Sequence, residues 1–230
     1  MKIHVLHHVR MSVKHGITHY LETSSHQVGH TYLSETTNFP AVSDIDWLII
    51  MGGPISANDE HKYPWLTAEK QFIKRVIDNG KMVFGICLGA QLIAQTLGAK
   101  VTTNKHPEFS WHPVYPSKDI QDTFLADVFS HDLTLFHSHG ETFDIPVGAK
   151  RIASSEACKN QGFIYDDRVV AIQFHPEITP ELAELFNNEC RPLWHMSPYY
   201  RDVNYTEDQP LFNQSSAIIK KLLYLIESNA

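Results

Sequence analysis

The sequence has 230 residues, of which 43% are hydrophobic, 11% aromatic and 20% charged. That is enough for one sizeable core and too ordinary for a disordered or collagen-like chain. Nineteen basic against 26 acidic residues leave a formal net charge of -7, so no basic field suggests nucleic acid or an anionic membrane as partner. Cys87, Cys158 and Cys190 are odd in number and outside any C-x-x-C pattern. This argues against a disulfide framework or a zinc cage and for a reducing, cytoplasmic setting. The N-terminus lacks the apolar heart of a signal peptide, and no run of about 18 apolar residues occurs, so a soluble protein is expected.

Short β-branched runs alternate with helical patterns through the first half, the sequence form of an α/β fold with a largely parallel sheet. Ile3 to Val9 reads as a strand, Gly16 to His26 as a helix and Thr31 to Thr36 as a short strand. Asp46 to Met51 is a nearly continuous apolar run stopped by Gly52-Gly53-Pro54, which suits a strand buried on both faces. Apolar residues at helical spacing from Pro64 to Asn79 predict a helix closed by Gly80. Lys81 to Ile86 then reads as a strand and Leu88 to Leu97 as a helix, with Cys87 at the joint. Hairpin signals follow: Ser154 to Ser155 and Gly162 to Tyr165 are extended, and Asp166-Asp167 turns into a strand from Val169 to Phe174. Thr179-Pro180 is a cap and first turn for a further helix. Cys190 to Pro210 is an aromatic connection, and Ser216 to Ser228 a closing helix. No repeat or linker divides the chain, so residues 1–230 are taken as one domain.

Gly85-Ile86-Cys87-Leu88-Gly89 puts a cysteine between glycines on a strand-to-helix turn, a backbone that presents a nucleophile and lets substrate approach it. A free thiol with pKa about 8.5 is only slightly ionised at neutral pH, and a helix N-terminus supplies less than about one unit, so a base is required. His175 ends another predicted strand, and Glu177 two residues on can orient its ring. The triad read from the sequence is therefore Cys87, His175 and Glu177. Acyl transfer also needs oxyanion donors. The backbone N–H groups of Leu88, at the helix start, and Gly53, at a bare strand end, are the candidates.

Three segments carry a family resemblance: Met-Gly-Gly-Pro at 51–54, Gly-Ile-Cys-Leu-Gly-Ala-Gln at 85–91 and Gln-Phe-His-Pro-Glu at 173–177 resemble the signatures of class I, triad-type glutamine amidotransferases. More closely, GGPISANDE, LGAKV, the Glu108-x-x-Trp111 segment and HGETFDIP resemble the stand-alone, GMP synthase-like branch. The resemblance implies a flavodoxin-like three-layer sandwich with a mostly parallel central sheet and a C-terminal hairpin region. It implies hydrolysis of the γ-carboxamide of glutamine through a γ-glutamyl thioester, releasing ammonia for a separate synthase subunit, or hydrolysis of γ-glutamyl peptides, without a cofactor. It also implies substrate-binding roles for Gly52, Gln91, Ser138 and His139. The branch usually has glycine before Trp111, where this chain has Ser110, so the local loop conformation is the point of departure.

Fifteen histidines raise the question of a metal. His4, His7, His8, His15, His19, His137 and His139 lack a four-ligand spacing, and none is assigned. Trp194, Tyr199, Tyr200 and Tyr205 are expected to pack their long connection onto the domain, the alternative being a pocket wall or partner surface. Glu35, Asp59 and Glu60 are read as solvated acids. Two rivals are the related cysteine-elbow superfamily of chaperone and deglycase type, which lacks His-Pro-Glu at this place, and a catalytically silent binding module.

Overall fold

The computed structural model describes residues 1–229. Five strands, β1 (Lys2–His7), β2 (Gln27–Tyr32), β3 (Trp47–Ile50), β4 (Met82–Ile86) and β9 (Val169–Ile172), pair in parallel in the order β2-β1-β3-β4-β9. The sheet continues through β8 (Gly162–Tyr165), β7 (Lys150–Ser154), β5 (Val101–Pro116) and β6 (Leu133–Phe143), all antiparallel. The flavodoxin-like α/β sandwich is present. The correction is one of proportion: four of the eight strand pairings are antiparallel, so the hairpin region is as large as the parallel one.

The apolar runs are continuous because alternate residues of each parallel strand serve opposite layers. Trp47 and Ile49 of β3, Phe84 and Ile86 of β4, and Val170 and Ile172 of β9 face α1 (Gly16–Thr23) and α5 (Gln209–Ser228). Leu48, Ile50, Val83, Val169 and Ala171 face α2 (Trp65–Asp78) and α3 (Leu88–Thr96). A third cluster joins β5 and β6 to α4 (Pro180–Trp194) through Phe109, Phe136 and Leu182.

Several boundaries differ from the sequence reading. β2 lies four residues earlier than expected, and Glu35 and Thr36 instead donate back to the Tyr32 carbonyl in a turn. β5 and β6 are additional strands, and β7 extends well before Ser154. α4 runs through Cys190 and Pro192 to Trp194, and α5 begins at Gln209 with Pro210 in its first turn, so the expected connection is shorter at both ends. The Asp166-Asp167 turn is confirmed, with φ of 52° and 49°. Thr179 Oγ1 accepts from the Leu182 N–H at 3.3 Å, the expected cap. Tyr200 stacks on Phe109, and Trp194 packs in the third cluster, whereas Tyr205 is exposed. Glu35, Asp59 and Glu60 pair with Arg10, Lys62 and Lys70.

Ser110, where the branch usually has glycine, has φ of 81° and is fully buried, with no partner for its hydroxyl among the described residues. Left-handed backbone and an orphan hydroxyl each disfavour serine. Ser110→Gly is expected to raise stability by about 1 kcal/mol, read as an upward shift of the denaturation midpoint with an unchanged denaturant slope. A fall in the midpoint would contradict this account of the loop.

Candidate active site

β4 stops at Ile86, and the chain reverses into α3 through Cys87, whose φ and ψ are 52° and -109°. The turn is held by the Cys87 N–H, which donates to the Ile172 carbonyl of β9 at 2.8 Å. A Cβ at Gly89 would lie 2.2 Å from the Ile50 carbonyl oxygen, and one at Gly85 would lie 2.7 Å from the Gly89 backbone. Both glycines therefore permit a backbone-to-backbone contact of α3 with β3 and β4, and that contact makes the elbow. Cys87 stands at the N-terminus of α3, where N–H groups without helical acceptors create positive potential. Its Sγ lies 3.7 Å from the Ser138 carbonyl.

β9 delivers His175 to the same place. Its Nδ1 meets Glu177 Oε1 at 2.8 Å, both side chains being 4% exposed. Its Nε2 is buried, has no nitrogen or oxygen partner among the described residues, and faces the Cys87 thiol. Burial alone would push the imidazole down, but the Glu177 charge together with the contacts to Glu177 and Cys87 outweighs it and raises the pKa to about 10. The ring therefore holds its proton through the neutral range.

The cysteine opens into a cavity of about 290 Å³ between the C-terminal ends of the parallel strands and α4, the position at which α/β sheets of this order carry their sites. Gly52 lies against the cysteine and the histidine: a Cβ there would sit 3.5 Å from Cys87 Cβ and 3.6 Å from His175 Cε1. Gly53 lines the cavity, and Leu88 provides the first N–H of α3. Ser138 lines it too, and its Oγ lies 3.3 Å from Cys190 Sγ. Gln91 and His139 are elsewhere. Gln91 is buried with its Nε2 donating to Gln173 Oε1 at 3.1 Å, and His139 is turned toward Glu108. The sequence reading did not place His15, Glu189 or Phe186 here, whereas Trp194, for which a pocket wall was one of the readings, lines the cavity with them. The only signal for Trp194 was the aromatic cluster after residue 190, and nothing in local spacing marked the others.

Away from the cavity, Glu108, His137 and His139 are buried with ligand-type atoms within 4.8 Å of one another. Glu108 accepts from Ser155 Oγ at 2.6 Å and Gln161 Nε2 at 2.7 Å, and it pairs with His139 Nε2 at 3.1 Å. Burial opposes ionisation of Glu108, yet these contacts and the two neighbouring imidazoles hold its carboxyl down at about 2.

A flavodoxin-like sheet with a cysteine elbow beside a buried His–Glu pair defines a class of α/β protein. The sequence model of the family "Glutamine amidotransferase class-I" matches residues 5–191, and the chain belongs to that family. A glutamine amidotransferase-like protein of Salmonella typhimurium is 32% identical over 148 residues, 63% of this chain and 62% of that protein. One of the subunits of the glutamine-hydrolyzing GMP synthase of Sulfurisphaera tokodaii is 32% identical over 151 residues, 64% of this chain and 76% of that one. The match thus spans less than two thirds of the Salmonella relative's length. The crystal structure of a glutamine amidotransferase from Thermotoga maritima superposes with a TM-score of 0.85, at 25% identity, over 98% of each chain. Among the described residues no helix is long and apolar enough to cross a membrane.

Proposed function

We propose that this chain hydrolyses the γ-amide bond of glutamine or of a γ-glutamyl compound through Cys87, His175 and Glu177. The observation that carries the reading is the buried His175–Glu177 pair facing a thiol at a strand-to-helix elbow. The Cys87 thiolate attacks the γ-carbonyl carbon, and the developing oxyanion is received by the N–H groups of Leu88 and Gly53. The His175 imidazolium gives its proton to the leaving nitrogen, and ammonia or an amine departs, leaving a γ-glutamyl thioester. Neutral His175 then takes a proton from water, hydroxide attacks the thioester, and glutamate leaves as the thiolate is restored. Glu177 fixes the ring and stabilises its charge throughout. In the substrate's glutamyl part, the ammonium would find Glu189 in the cavity, and the carboxylate would have to compete with Glu35 for Arg10.

The relatives among GMP synthase subunits support release of ammonia to a separate synthase. A second reading, hydrolysis of γ-glutamyl peptides, is favoured by the far wall of the cavity, where Met11, Leu182, Leu185, Phe186 and Trp194 offer an apolar surface larger than ammonia requires. Turnover of glutamine, γ-glutamyl dipeptides and glutathione conjugates, compared with and without cell extract, separates the two. Strong peptide turnover by the chain alone favours the second, and glutamine turnover that needs extract favours the first. Failure of a glutamine-mimicking electrophile to label Cys87 in folded protein would overturn both.

Glu177→Gln is expected to lower kcat roughly 10³- to 10⁴-fold, the scale for losing the carboxylate of a triad. It also predicts a pH effect. With the carboxylate gone, the largest influence opposing burial of His175 is lost, so the alkaline limb of the pH–rate profile should move down from about 10. An unmoved alkaline limb would assign it to another group.

A further inference from the structure

Behind the Gly52-Gly53 turn lies a second buried histidine–carboxylate pair that the proposed hydrolysis does not use. His8, one residue past β1, meets Glu69 of α2 through Nε2–Oε1 at 3.0 Å, with side-chain exposures of 1% and 0%. Its other nitrogen, Nδ1, meets the Gly52 carbonyl oxygen at 3.2 Å. A backbone carbonyl can only accept and an ionised carboxylate can only accept, so with Glu69 charged each ring nitrogen donates and the ring is an imidazolium. Burial opposes that charge, but attraction and hydrogen bonding from Glu69 and the bond to Gly52 outweigh it and raise the His8 pKa.

The geometry points to His8 as a positioning residue that sets the oxyanion hole. In a trans peptide the carbonyl and the following N–H point in opposite directions. Because the Gly52 carbonyl is drawn back toward His8, the Gly53 N–H is turned away from His8. It makes no hydrogen bond to backbone among the described residues, and Gly53 lines the cavity. A Gly-Gly peptide at a strand end is otherwise among the most freely rotating units of a chain. Packing closes the alternatives: a Cβ at Gly53 would lie 2.8 Å from His8 Cβ and 3.0 Å from Leu88 Cδ2. The imidazolium also polarises the 52–53 peptide, making its N–H a stronger donor.

This inference rests on the proposed hydrolysis, so the test begins with wild-type turnover of a γ-glutamyl amide, with cell extract present; its absence even then would count against the hydrolysis and not against His8. His8→Ala is expected to lower kcat about 30- to 100-fold with KM within about twofold, below the 10²- to 10³-fold typical of losing a donor outright. His8→Asn, whose amide can reach the Gly52 carbonyl, should recover about a third or more of the lost activity on a logarithmic scale. Glu69→Gln keeps a side-chain partner for His8 and should lose no more than about tenfold. Affinity for a γ-glutamyl aldehyde, which forms a tetrahedral adduct on Cys87, should fall in parallel with kcat, while alkylation of Cys87 by chloroacetamide should be little changed. If His8→Ala retains kcat and aldehyde affinity within about twofold, the inference is wrong. Should that variant not fold, full aldehyde affinity in folded His8→Leu/Glu69→Leu, which removes both charges together, would overturn it equally.

Discussion

Cys87→Ala is expected to abolish hydrolysis of γ-glutamyl amides, with kcat falling about 10⁶-fold, as for removing the nucleophile of a triad in which the groups act as a unit. The size of the effect follows from the covalent step: without sulfur no thioester forms, and only the residual effect of the oxyanion donors and binding remains. Stability should hardly change, because Cys87 is a small side chain at a cavity edge, 8% exposed. Its left-handed backbone is imposed by the β3–α3 contact rather than by the sulfur. The measurement pairs steady-state hydrolysis with thermal denaturation. Retained activity in a protein of unchanged midpoint would remove Cys87 from the mechanism and return weight to a silent binding module.

The second large effect is expected at His175, on two observables. His175→Asn should lower kcat about 10⁵- to 10⁶-fold, since both the proton for the leaving nitrogen and the base for water disappear. His175→Ala should in addition cost about 3–5 kcal/mol of stability, because it strands the Glu177 carboxylate, whose Oε2 already lacks a partner among the described residues. The sign of the pH dependence distinguishes this pair from an ordinary buried contact. The folded-state pKa of His175 is raised to about 10 from 6.5, so its stabilising contribution is full below 6.5 and is lost as pH rises through about 10. The stability gap between wild type and His175→Ala should therefore narrow from pH 6 to pH 10. A gap that widened over that range would mean the ring is neutral in the folded protein.

The parallel half of the fold and the strand ends that carry Cys87 and His175 were legible in the sequence because local and global signals agree there. β3, β4 and β9 are short apolar runs stopped by glycine or by the His-Pro-Glu segment, and the glycines of the elbow mark a contact that nothing larger can make. β5 and β6 were illegible for the opposite reason. β5 contains Pro107, Pro113 and Pro116 and shifts register between Thr103 and Glu108, and β6 carries His137, His139 and Gly140. Their pairing is decided by long-range burial of Phe109 and Phe136, not by strand propensity. Gln91 follows the family motif in sequence, yet its position on α3 points it at Gln173. The His8–Glu69 pair was invisible for a similar reason: 61 residues separate its members, and only the packing of α2 on the sheet joins them.

Every group of the proposed triad and oxyanion hole is carried by the parallel sheet or its immediate ends, whereas the far wall of the cavity is carried largely by one helix, α4, through Leu182, Leu185, Phe186, Glu189 and Trp194. Pro192 lies within that helix, and a proline deprives the carbonyl four residues earlier, that of Asn188, of its helical hydrogen bond. The wall thus lacks one helical hydrogen bond, at Asn188. Substitutions in it reshape the space for the leaving amine while the sheet and its chemistry stay as they are. Under the proposed hydrolysis, changes in this one helix are therefore expected to alter which amine leaves, with the sheet that carries Cys87 and His175 untouched.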